Sequence, residues 1–176
     1  MQSPDKLRIA LLAAYAIALH GFERLIPTPI PWMRFGLANI ITLTALVLYG
    51  MKPAMTITLI RVIIGSFLTG TFLGPAFVLS LGAGIVSTLA MGITLRLVPA
   101  LFGPVGISLI GAMLHNITQL FLAYLIFIRK FEVVVILAPI LLLVGTVTGA
   151  LNGIVSGMLI QGLTKSGEVS FTEKVS

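Results

Sequence analysis

The chain has 176 residues, of which 58% are hydrophobic and 9% charged, with a mean hydropathy of +1.15 and a formal net charge of +6. About a quarter of the residues in a soluble domain are charged, so these proportions exclude an ordinary soluble fold and point to a polytopic helical membrane protein. The lack of cysteine excludes disulfides, cysteine-zinc sites and thiol nucleophiles, and the positive charge reads as positive-inside anchoring, not as nucleic-acid binding.

A membrane span needs about 20 apolar residues. The first candidate runs from Leu7 to Ile26. It is not expected to be a cleavable signal, because no small-residue cleavage site follows it and further spans do. A proline-rich loop comes next, PTPIPWMR, with Pro27, Pro29, Pro31 and Trp32. The second span, Phe35 to Gly50, is short, and Pro53 suits the first turn of the helix after it. The third, Ala54 to Thr69, carries Arg61, and GTFLGP then makes a tight uncharged turn. The fourth runs from Phe77 to Leu97, where PALFGP breaks the chain again. The fifth is Val105 to Ile128, and RKFE, Arg129 to Glu132, turns the chain. The last apolar run, Val133 to Leu163, is too long for one straight span at about 1.5 Å per residue. Pro139 is expected to start its helix proper, leaving Val133 to Ala138 extended or half-inserted. The polar tail over 166–176 is expected to be loose.

This pattern predicts an all-α membrane protein of six transmembrane helices, forming a single domain over residues 1–176. Lys6, Arg8, Lys52, Arg96, Lys165 and Lys174 would share the side of the termini, with Arg24, Arg34, Arg129 and Lys130 opposite. The bias favours a multi-pass cell-membrane protein with cytoplasmic termini.

Close helix packing in lipid needs small residues. Gly145, Gly149, Gly153 and Gly157 recur every four residues along the last helix, as internal packing against a neighbour requires. Ala10, Ala14 and Ala18 form a similar ladder on the first helix. The spacing leaves open whether that ladder packs internally or docks a partner.

Catalytic chemistry is hard to find. Metal-dependent prenyl or phosphoryl transfer uses clustered carboxylates. The chain has one aspartate, Asp5, and its glutamates, Glu23, Glu132, Glu168 and Glu173, are scattered. It has no Walker A sequence and no Gly-x-Ser-x-Gly elbow. No enzyme activity, cofactor or metal is expected. Polar residues inside the spans usually face a bundle interior or cavity. His115 and Gln119 stack on one face of the fifth helix, beside Gly111 and Ser108, with Asn116 close to the same side. Two readings stand: a hydrogen-bond cluster tying helices together, or a ligand pocket. In the up-down topology Arg34, Asn39 and Ser80, with His20, Glu23 and Arg24 at the end of the first helix, converge on the same end of the bundle. Arg61 would point inward, pair with a carbonyl or snorkel, and Glu23 and Arg24 are read as interfacial charges.

The segments PWMRFGLANIITLTAL, RVIIGSFLTG, LSLGAGIVSTLAMG and GAMLHNITQL together resemble the membrane family termed heptaprenyl diphosphate synthase component I, or Gx transporters. That family is similar to the substrate-binding S-components of energy-coupling factor (ECF) transporters. The likeness implies a six-helix S-component-like bundle for uptake of a vitamin- or cofactor-like molecule. Isoprenoid, quinone-related and flavin-related substrates are all open. It implies a transmembrane coupling subunit and two ATPase subunits as partners, with Ala10, Ala14 and Ala18 docking the coupling subunit and Pro27 to Trp32 closing over the substrate. Arg34, Asn39, Ser80, His115, Asn116 and Gln119 are the expected substrate-binding residues. The alternatives are a membrane accessory subunit of a heptaprenyl diphosphate synthase, or a stand-alone structural membrane protein.

Overall fold

The structure, a computed structural model, describes residues 3–26, 35–98 and 102–165, without the side chains of 3–5 and 24. These residues form six helices: α1 (Ser3–Phe22), α2 (Ala38–Tyr49), α3 (Met51–Leu68), α4 (Pro75–Leu97), α5 (Pro104–Ala123) and α6 (Phe131–Lys165). A 3-10 turn, Glu23–Leu25, continues α1, and a π turn, Tyr124–Ile128, extends α5. Consecutive helices run in opposite directions. His20 near the end of α1 meets Gly65 near the end of α3, while Met51 at the start of α3 meets Gly92 near the end of α4.

α4, α5 and α6 pack as a row, and α2 lies inside, touching α1, α3 and α6. α2 has 12 residues, too few for a lipid span on its own, but ten of them are buried against protein. A short helix is tolerable there because its neighbours, not water or lipid, satisfy its surface. Among the described residues four helices are long and apolar enough to cross a membrane: α3, α4, α5 with its π turn, and α6. Six such spans were expected, so the finding is an all-α six-helix bundle in which four of the described helices combine the length and hydropathy of a span.

Only Gly50 separates α2 from α3, at a φ of +85°. A side chain rarely adopts this conformation. It lets α3 double back beside α2 without a loop.

α6 corrects one expectation. Its 35 residues form one helix from Phe131, with Pro139 inside it. Val133 to Ala138 are helical, not extended. In a bilayer an extended segment would leave its N–H and C=O groups unpaired, at several kcal/mol each. Continuing the helix forfeits only the bond that Pro139 cannot donate. Farther along, the glycine stripe of α6 packs on α5. A Cβ on Gly149 would lie 2.8 Å from the Ala112 Cβ, and one on Gly153 would lie 2.5 Å from the Val105 Cα. The small residues set the interhelical distance.

Hydroxyl groups cross the interior where apolar side chains would be expected. Thr42, Thr58 and Thr88 form a chain from α2 through α3 to α4, with Oγ1 separations of 3.4 and 2.9 Å. The Thr44 and Ser156 hydroxyls join α2 to α6 at 3.0 Å. Several of these side chains also donate to the carbonyl four residues back, as Thr44 does to Ile40 at 2.8 Å. Each hydroxyl is therefore satisfied without water.

Candidate functional site

Five helices bring polar side chains to one end of the bundle. α1 and its 3-10 turn supply His20 and Glu23, α2 supplies Asn39, α3 Arg61, α4 Ser80 and α5 His115. With Gly36 and Val62 they line a cavity of ≈ 10 Å³. His20, Glu23 and Arg61 are 2%, 5% and 3% exposed, so charged groups are enclosed. Arg61 donates from Nη2 to the Asn39 Oδ1 at 3.0 Å. Its Nε has no hydrogen-bond partner among the described residues. Glu23 lies close enough for its charge to act on Arg61, and its carboxylate accepts the Leu37 backbone N–H at the entry to α2. A buried guanidinium in a membrane bundle requires such compensation.

A second cavity of ≈ 10 Å³ adjoins the first, sharing Gly36, Asn39 and His115 and adding Asn116 and Asn152. Asn152 of α6 donates to the carbonyls of Phe35 and Gly36, each at 3.0 Å. It thereby fixes the backbone just ahead of α2. Gly36 has a φ of +71°, and a Cβ there would sit 3.4 Å from the Asn152 Nδ2.

Asn39, Ser80 and His115 therefore share one lining. Asn116 lines the second cavity, but its amide donates to the Leu141 carbonyl at 2.7 Å, tying α5 to α6. Gln119 is 1% exposed and lines neither cavity. The Ser80 hydroxyl donates to the Ala76 carbonyl at 2.8 Å. Arg34, the Pro27 to Trp32 loop and the tail over 166–176 lie outside the described residues.

Glu23 was read as an interfacial charge and is buried instead. Arg61 points inward and meets a side-chain carbonyl. His20 was expected at this end of the bundle but not among the substrate-binding residues, and Asn152 was not singled out. The available signal for Asn152 was its position as the one amide between Gly145 and Gly157 of α6.

Ala10, Ala14 and Ala18 are exposed, while Ala13 and Ala16 turn inward. Their stripe is not internal packing within the described residues.

Each cavity has room for about one water molecule, far below the several hundred Å³ of an ordinary small-molecule pocket. Among the described residues no group of three or more His, Cys, Asp or Glu could hold a metal ion.

The bundle is thus an all-α, multi-pass membrane protein with a closed polar cluster at one end. Residues 12–159 match the family model described as heptaprenyl diphosphate synthase component I, and the chain belongs to that family. No curated protein and no solved structure matches it.

The match corrects the transporter expectation. The chain is assigned as a heptaprenyl diphosphate synthase component I and not as the S-component of an ECF uptake transporter. The vitamin- or cofactor-uptake function falls with that reading. So do the transmembrane coupling subunit and the two ATPase subunits as partners. The alanine spacing of the first helix, which fitted that reading, is one that membrane helices of many kinds share. A non-catalytic role for this chain accords with the component I description.

Proposed function

We propose that the chain is the membrane accessory subunit of a two-component heptaprenyl diphosphate synthase, working beside a separate catalytic component. The observation that carries this reading is the family match over residues 12–159. The partner would be a prenyl-diphosphate synthase component with the clustered carboxylates that magnesium-dependent prenyl transfer uses. The accessory subunit would bring that chemistry to the bilayer, where a long prenyl chain is soluble.

The chain acts as one domain over residues 1–176, with all six helices in the membrane and both termini cytoplasmic. Lys6, Arg8, Lys52, Arg96 and Lys165 at the end of the termini support that orientation. Asn39, Ser80 and His115, with His20, Glu23 and Arg61, hold the far end of the bundle in register and take at most a water-sized guest. Asn116 and Gln119 belong to the same helix-joining set, and Arg34 lies next to it in sequence. The exposed Ala10, Ala14 and Ala18 stripe is free to meet lipid or another membrane helix.

Affinity purification of the tagged chain from its native membrane tests the reading. The expected result is copurification of a prenyl-diphosphate synthase component, whose products lengthen to seven isoprene units when the chain is present. A synthase that neither associates with the chain nor changes product length in its presence overturns it.

A further inference from the structure

At the opposite end of the bundle from the polar cluster lies a cavity of ≈ 430 Å³, between the end of α2, the start of α3 and the last turns of α4. Its volume falls within the usual range for small-molecule sites, about 300–1,000 Å³. Leu89, Gly92, Ile93, Leu95 and Arg96 line it from α4. Leu89, Gly92, Ile93 and Arg96 share one helix face over about 10 Å of axis. Leu46 and Gly92 are buried and make the floor, while Leu89 and Ile93, 41% and 54% exposed, form a rim open to the surroundings of the bundle. Gly92 provides depth. A Cβ there would come within 2.7 Å of the Met51 Sδ, on the neighbouring lining residue.

Polarity changes along this groove. The Leu89 end is apolar. The other end holds exposed Arg96 in the last turn of α4; Lys52, also exposed, is not in the lining but follows the lining residue Met51. The C-terminus of α2 and the N-terminus of α3 meet at Gly50 beside the groove. Their opposed helix-end charges, about half a unit each, largely cancel. The cations then set the sign, and it is positive. Lys6, Arg8 and Lys165 lie at the same end of the bundle.

We propose that this groove binds a single-chain isoprenoid diphosphate. The diphosphate lies at Arg96, the cation in the lining, and the head-proximal part of the chain runs along Leu89, Gly92 and Ile93 toward the middle of the bilayer. Charge complementarity selects an anionic head. One groove about 10 Å long with one cationic end fits one chain better than the two acyl chains of a phospholipid. The proposal deepens the accessory-subunit reading and rests on it for the choice of isoprenoid.

The test uses the full chain, purified alone in phosphatidylcholine nanodiscs, and a photoactivatable benzophenone analogue of farnesyl diphosphate. Labelling is expected within residues 46–51 and 89–97, and excess farnesyl diphosphate should suppress it. Arg96→Gln, at an exposed position, should weaken labelling at least tenfold with the fold intact. Ile93→Trp, which fills the groove from its rim, should do the same. Labelling elsewhere, or labelling unchanged in both variants, overturns the proposal. Phosphatidylglycerol that displaces the probe as well as farnesyl diphosphate does also overturns it, because the groove is then a phospholipid site. The binding assay contains no synthase component, so its outcome is independent of copurification. A chain that labels as expected but recruits no synthase refutes the accessory role, not the groove.

Discussion

Gly153→Ala should separate α5 from α6. A methyl group at this position would lie 2.5 Å from the Val105 Cα, 3.0 Å from the Ser108 Cβ and 3.1 Å from the Pro104 carbonyl oxygen. Two of those three atoms are backbone, so no side-chain rotation relieves the clash and the helices must move apart. Overpacking of this kind costs about 1–3 kcal/mol, and the backbone contact places it in the upper half of that range. Replacing a helical glycine by alanine returns about 1 kcal/mol of backbone entropy. The expected net loss is about 1–2 kcal/mol. Gly157, one turn along, meets only the Pro104 ring at 3.7 Å, and Gly162 meets nothing within 4 Å. Alanine at either position should be neutral or stabilise by up to about 1 kcal/mol. Reversible unfolding in mixed micelles titrated with dodecyl sulfate would rank the three variants. If Gly153→Ala unfolds at the same midpoint as Gly157→Ala, the close approach of α5 and α6 is not what fixes the bundle.

Three more outcomes follow from named contacts. Asn39→Ala removes the acceptor 3.0 Å from the Arg61 Nη2 and leaves a buried charged donor, at about 1.5–3 kcal/mol; an unchanged unfolding midpoint would mean that Arg61 is hydrated rather than paired. Pro139→Ala restores a backbone donor inside α6 and should raise the midpoint, by up to about 3 kcal/mol, whereas a fall would indicate that the ring is needed for the helix path. Ala14→Leu, on the exposed face of α1, should leave the midpoint of the isolated chain unchanged, and a substantial drop would place that face in internal packing.

The membrane class, the helices and the α6 glycine stripe were legible in the sequence. Each depends on local chemistry: hydrophobic run length, the breaking effect of Pro and Gly, and a four-residue period that returns small residues to one face. Asn39, Ser80 and His115 could also be picked out, because polar side chains in apolar helices stand apart. Their surroundings were not legible. Glu23 sits near the end of an apolar run, as an interfacial charge would, and it became buried because the chain entering α2 presents the Leu37 N–H to it. Asn116 shares a helix side with His115, yet the closeness of Gly145 brings its amide to the Leu141 carbonyl on α6. Pro139 read as a helix start because proline usually breaks helices in water, whereas in lipid a single missing bond costs less than an unpaired segment. The alanine stripe of α1 and the glycine stripe of α6 have the same spacing, and one faces outward while the other packs inward. Spacing fixes which residues share a face, but which face meets protein depends on where the other helices lie, and that is decided only when all six pack together.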